Sequence, residues 1–250
     1  PDTKKFDLGY TPGDRQKDKY MYVYPDDATR RIVKKIGAGL GLTWSLVADG
    51  KDIWTSTVSG EVYKLDGATG KILKQFRVNS TQPWGMTFDG QNLWITDFAE
   101  KRTYSVDPET GKELFSFNNP DQEHGAKGLA WDGQYLYIMG WTTSIVYKVD
   151  RQGKLIDQFK MKDIDGGGGL TYDGHYFWIP TGNRIGKFDR TGKLVGSIYQ
   201  ASEGTWDLAW EKADNKYGGY LWASQRTNEN WFDDEKIFKL EIVNDQVIKN

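Results

Sequence analysis

Apolar and polar positions along this chain alternate in steps of two over short stretches, and the stretches recur about every 40 residues. Val62-Tyr63-Lys64-Leu65-Asp66 and Val146-Tyr147-Lys148-Val149-Asp150 are two copies. A period of two sends successive side chains to opposite faces of a strand, and no stretch carries helical spacing. A second unit recurs beside the first: an aromatic, a tight turn and another aromatic. It spans Trp44 to Trp54, Phe88 to Trp94, Trp131 to Tyr137, Tyr172 to Trp178 and, stretched, Trp210 to Trp222. Its turns are Asp49-Gly50, Asp89-Gly90, Asp132-Gly133, Asp173-Gly174 and Gly218-Gly219, pairs that supply the positive φ angles of tight hairpins. Four strand-like pieces per copy, repeated radially, predict an all-β protein, a β-propeller of four-stranded antiparallel blades.

The number of blades depends on which unit is counted. The acid that closes the third strand recurs at Asp26, Asp66, Asp107, Asp150, Asp189 and Glu241, at intervals of 40, 41, 43, 39 and 52, which gives six outer units. The aromatic inner unit appears only five times, because residues 1–20 match it poorly. The outer count favours six blades, with residues 1–40 as a degenerate first blade or closing strands. Five blades plus an added N-terminal strand is the alternative. The repeat fills nearly all of residues 1–250, so a single propeller domain is expected.

Composition removes several classes of chemistry. The 33 Lys and Arg are interspersed with 35 Asp and Glu for a net charge of −2, which argues against a nucleic-acid grip. The densest basic segment, Arg30, Arg31, Lys34 and Lys35, reads as a solvated outer strand. No cysteine means no disulfide, no thiolate nucleophile and no Cys-ligated zinc. No run of 18 apolar residues is present, so no membrane-spanning helix is expected. The chain starts at Pro1 rather than Met, from which a trimmed leader and a secreted or periplasmic location are expected. The two histidines, His124 and His175, fall on opposite faces of a propeller, which disfavours a His-pair metal site. No cofactor is expected. Calcium is the one ion with oxygen-rich candidates, Asn228, Glu229, Asn230, Asp233, Asp234 and Glu235.

Tryptophan carries the functional argument. Seven of the 11 occupy repeat slots and read as blade packing: Trp44, Trp131 and Trp210 in first strands, and Trp54, Trp94, Trp178 and Trp222 in second strands. The packing of sheets does not require Trp84, Trp141, Trp206 and Trp231. Propeller topology puts blade-to-blade links and second-to-third-strand links on one face, so these four open onto the same end of the ring. They form the predicted ligand-binding surface, with His124, Gln225 and Arg226, for a small molecule, glycan or peptide. The slot before the first-strand hydrophobic reads Gly41, Gly85, Gly128 and Gly169, but Asp207 in the fifth copy. Asp97, Asp207, Glu123 and Lys127 are the acid/base candidates. Gly166 to Gly169 precede no helix, so they read as close backbone approach near the channel rather than a phosphate cradle.

Pro83-Trp84-Gly85-Met86-Thr87-Phe88-Asp89-Gly90, Leu93-Trp94-Ile95-Thr96-Asp97 and Asp107-Pro108-Glu109-Thr110-Gly111 together resemble a blade of the glutaminyl-peptide cyclotransferase propellers. Residues 22–248 more broadly resemble the class that also contains streptogramin lyases and regucalcin-type lactonases. The resemblance implies a propeller and, as one of two functions, a cyclotransferase-like or lyase-type enzyme with a carboxylate acid/base. Gln82 stands where the matched blade of that family carries Glu. The other function is a ligand-binding or scaffold propeller with an aromatic-lined channel face.

Overall fold

The computed structural model describes residues 27–37, 40, 43–164, 168–182, 184–201, 204–225 and 236–245. The described strands begin with β1 (Arg30–Gly37) and then run in groups of four. Blade 1 is β2 (Thr43–Asp49), β3 (Asp52–Thr57), β4 (Glu61–Leu65) and β5 (Ile72–Arg77). Blade 2 is β6 (Pro83–Phe88), β7 (Leu93–Asp97), β8 (Arg102–Val106) and β9 (Glu113–Asn118). Blade 3 is β10 (Ala126–Trp131), β11 (Leu136–Gly140), β12 (Ile145–Val149) and β13 (Leu155–Lys160). Blade 4 is β14 (Thr171–Tyr172), β15 (Phe177–Thr181), β16 (Arg184–Phe188) and β17 (Leu194–Tyr199). Blade 5 is β18 (Thr205–Lys212), β19 (Gly219–Gln225) and β20 (Lys236–Ile242), with β1 as its outer strand.

The ring therefore has five antiparallel four-stranded blades, not the six favoured by the outer-strand count. The sixth outer unit is real, but it is the missing fourth strand of the last blade. β1 pairs antiparallel with β20 from Arg30↔Ile242 to Gly37↔Lys236 and closes the circle with strands from both ends of the chain. Asp26, which opened the sixth count, lies outside the described residues.

The basic segment at this joint is not simply a solvated strand. Arg30 is fully buried, its Nε donating to the Tyr199 carbonyl at 3.0 Å and its Nη2 to the Gln200 carbonyl at 2.8 Å. It ties the closing strand to blade 4.

The recurring acid–turn–aromatic pattern has one physical cause. The turn acid accepts backbone N–H groups of its own hairpin with one oxygen, as Asp89 does from Gln91 and Asn92. With the other it accepts a proton from the second-strand aromatic. The pairs are Trp54–Asp49 at 3.3 Å, Trp94–Asp89 at 2.9 Å, Tyr137–Asp132 at 2.9 Å, Trp178–Asp173 at 2.8 Å and Trp222–Glu211 at 2.6 Å. Each indole is thus buried with its N–H satisfied, which a core requires. Cations complete most of these turns: Lys64 on Asp49, Arg151 of blade 3 on Asp89, Arg190 of blade 4 on Asp132, and Lys239 on Glu211.

The core lies between blades. Val47 and Trp54 of blade 1, for example, pack with Met86, Leu93 and Tyr104 of blade 2. On the outer strands a bulge recurs at Val33, Leu73, Leu114, Ile156 and Val195, each exposed. A bulge at a sheet edge twists that edge away from pairing with another chain.

Candidate functional site

Bulges also mark the inner strands, and they build the site. Register shifts fall between Thr43 and Ser45, Pro83 and Gly85, Ala126 and Gly128, and Thr205 and Leu208. The residues these bulges contain are Trp44, Trp84, Lys127 and Trp206, all five positions before the turn acid of their blades. Blade 4 has Gly168 at that position, and its inner strand is cut to two residues.

These side chains converge at one end of the ring. Trp44 contacts Trp84 edge-on at 4.7 Å between centroids and lies nearly parallel to Trp206 at 6.2 Å. Trp84 stacks on Phe98 at 3.9 Å, and both meet the exposed Trp141 edge-on, at 5.4 and 5.3 Å. Lys127 reaches across the space that Gly168 leaves open, placing Nζ 4.2 Å from the Trp206 ring.

Trp44 is a correction: its sequence slot matches Trp84 and Trp206, not the first-strand aromatics Phe88 and Trp131. In consequence Ser45, not Gly41, is the partner of Gly85, Gly128 and Gly169. Phe98 escaped the sequence reading altogether. It follows Asp97 as Trp141 follows Gly140, and that alignment of second-to-third links was the available signal.

The same two link positions explain the cavity. After the second strands stand Val58, Phe98 and Trp141, but Gly182 in blade 4. Blade 4 therefore carries glycine at both places where its neighbours carry large side chains. A cavity of about 570 Å³ opens there, lined by Lys127, Trp141, Asp163, Ile164, Gly168, Pro180, Thr181, Gly182, Gln200 and Thr205. Gln200 frames its floor, donating to the carbonyls of Gly182 at 2.9 Å and Arg184 at 3.1 Å and accepting from Thr205 N–H at 3.1 Å. A larger cleft of about 650 Å³ follows Lys160 to Ile164 and Thr191, but no aromatic ring lines it.

Asp207 lies beneath. Its slot is otherwise Ser45 or glycine, and a Cβ on Gly169 would stand 1.8 Å from Asp207 Oδ1, so the glycine is what admits the carboxyl. Oδ2 accepts the Leu46 N–H at 2.8 Å, while the Leu170 and Leu208 amides face the group without closing hydrogen bonds, and Oδ1 has no hydrogen-bond partner. Burial pushes the Asp207 carboxyl well above its ordinary range, more than these amides and Lys127 pull it back. Lys127 responds in the opposite sense. Only 9% exposed, it is drawn down to about 8 by burial, against a smaller upward pull from Asp207. Below Asp207 the channel narrows to an apolar space of about 110 Å³.

The other candidates sort differently. Asp97 is fully buried and ties loops: it accepts from Ser80 Oγ, from Thr81 N–H at 3.2 Å and from Glu100 N–H at 2.8 Å. It thereby fixes the link that carries Trp84. Glu123 and His124 are exposed and contribute nothing to the cavity lining; the His124 ring faces Asp121 at 3.2 Å. Gln225 ends β19, opposite Thr205. Arg226, Trp231 and the oxygen-rich loop at 228–235 lie outside the described residues. Among the described residues no three His, Asp or Glu side chains are grouped as a metal site would require.

What the fold and this end of the ring define is a five-bladed propeller with a notched aromatic collar at its channel mouth. No known family matches the sequence, and no curated protein is similar to it. Among solved structures, the crystal structure of Myxococcus xanthus glutaminyl cyclase is similar, with a TM-score of 0.69 at 14% identity, covering 88% of this chain and 97% of that one. At that identity the likeness is one of fold.

Proposed function

We propose that this propeller is a ligand-binding protein whose site is the cavity over blade 4. The observation that carries the reading is the pair Gly168 and Gly182, which opens a notch in an otherwise continuous collar of Trp44, Trp84, Phe98, Trp141 and Trp206. A cavity of about 570 Å³ suits a small ligand or the side chain of a larger one, within the roughly 300–1,000 Å³ usual for such sites. Aromatic walls hold a ring or sugar face at low entropy cost, and the lysine supplies orientation. The test is a panel of aromatic small molecules, glycans and peptides followed by tryptophan fluorescence. Trp141→Ala, an exposed change, and Gly168→Phe, which fills the notch, should abolish binding while the melting temperature stays near the parent value. Binding unaltered by both would refute the site.

A catalytic reading draws on the nearness of Lys127 to Asp207 and on the fold shared with a glutaminyl cyclase. Against it, the two groups form no hydrogen bond or ion pair, and Asp207 lies below the cavity rather than in its lining. Turnover of a peptide with N-terminal glutamine, lost in Lys127→Met, would establish it.

A further inference from the structure

We infer that the ligand of this cavity is a monocarboxylate bearing a ring or other apolar group, with its carboxylate set against Lys127. The inference rests on the binding reading above and adds the charge of what binds.

A buried ammonium is ordinarily paired or hydrogen-bonded. Lys127 is neither: among the described residues its only neighbour of note is the Trp206 ring at 4.2 Å. The nearest carboxyl, Asp207, does not reach it and is itself held toward the neutral acid. The other acid of the lining, Asp163, is solvent-exposed, so its charge is screened. The cavity thus presents one uncompensated positive charge at its base beneath apolar walls of Trp141, Ile164 and Pro180.

The same lining argues for a monoanion over a phosphate. A phosphate dianion needs several donors, and Lys is a point charge rather than a fork. The Gln200 amide hydrogens are already committed to the Gly182 and Arg184 carbonyls. One cation, few free donors and aromatic walls match one carboxylate on an apolar body.

Isothermal titration with 3-phenylpropionate, 3-phenylpropionamide and 3-phenylpropylamine separates the possibilities, because the three share a ring and differ in charge. The carboxylate should bind the parent protein at least tenfold more tightly than the amide and the amine. Lys127→Met should erase that preference, and Lys127→Arg should retain it. Equal binding of all three would overturn the carboxylate assignment and leave the cavity reading standing. A preference that survives Lys127→Met would also overturn it, since the charge would then be read elsewhere. If none of the three binds at millimolar concentration, both readings fall together.

Discussion

Replacing Lys127 by methionine should make the fold more stable. Burial draws the Lys127 ammonium from its ordinary 10.5 to about 8. A base with a folded-state pKa below its unfolded one holds its proton less willingly when folded. Its penalty is therefore full below about 8, shrinks as pH rises from there to 10.5, and is gone above. The gap is worth about 3 kcal/mol. The Trp206 face returns about 1 kcal/mol as a cation–π contact, and methionine preserves most of the packing of the aliphatic stem. A net gain of about 2 kcal/mol at neutral pH follows. Urea unfolding of the parent and Lys127→Met at pH 7 and pH 10.5 measures it, with the same pair repeated in an Asp207→Asn background to remove the contribution of that carboxyl. The variant should have the higher midpoint at pH 7, and the two curves should converge at pH 10.5. A variant less stable at pH 7, or a gain that persists at pH 10.5, would show that the lysine holds the fold together and is not an unpaired charge kept for a ligand.

Four further outcomes follow from the geometry. Gly169→Ala drives a methyl group into Asp207 and should cost about 2 kcal/mol or more, most of it recovered in the Gly169→Ala/Asp207→Gly double variant; additive losses in a double-mutant cycle would refute the contact. Because the Asp207 carboxyl is raised, the folded state keeps a proton that the unfolded chain gives up near pH 4, so this group's contribution to stability falls as pH climbs from there; Asp207→Asn should remove that part of the slope in acid-to-neutral urea titrations. Trp94→Phe strips the Asp89 carboxylate of its indole partner and should lower stability by about 1–2 kcal/mol, with Trp141→Ala near neutral in the same denaturation series. Arg30→Met leaves the Tyr199 and Gln200 carbonyls unpaired at the ring joint and should cost about 2–4 kcal/mol, read as a lowered midpoint.

The blade was legible because its signals are local. Asp89-Gly90 followed by Trp94 is a hairpin turn and the indole that turn anchors, and both can be read within six residues. The blade count was harder because a ring has no first element. The chain cut falls inside blade 5, so its outer strand stands at the opposite end of the sequence from its inner ones. The mouth was read in part. Trp84, Trp141 and Trp206 stood out as surplus aromatics, but Trp44 was hidden by aligning aromatics to one another rather than counting back from the turn acid, an alignment that bulges displace by one. Lys127 was named for its link, without the sign that it shares a slot with three tryptophans. The cavity itself was invisible for a simpler reason: Gly168 and Gly182 act by what they lack, and a missing side chain leaves no signature until its neighbours are placed around it.

The joint between β1 and β20 gives the two chain ends an importance their unremarkable sequence conceals. Until Arg30–Gly37 docks, blade 5 is three strands wide with a bare edge, and the first segment synthesised must wait for the last before the circle is sealed. Trimming a few dozen residues from the front would thus remove the latch rather than an ornament, and would leave an open strand ready to recruit the same segment from another copy.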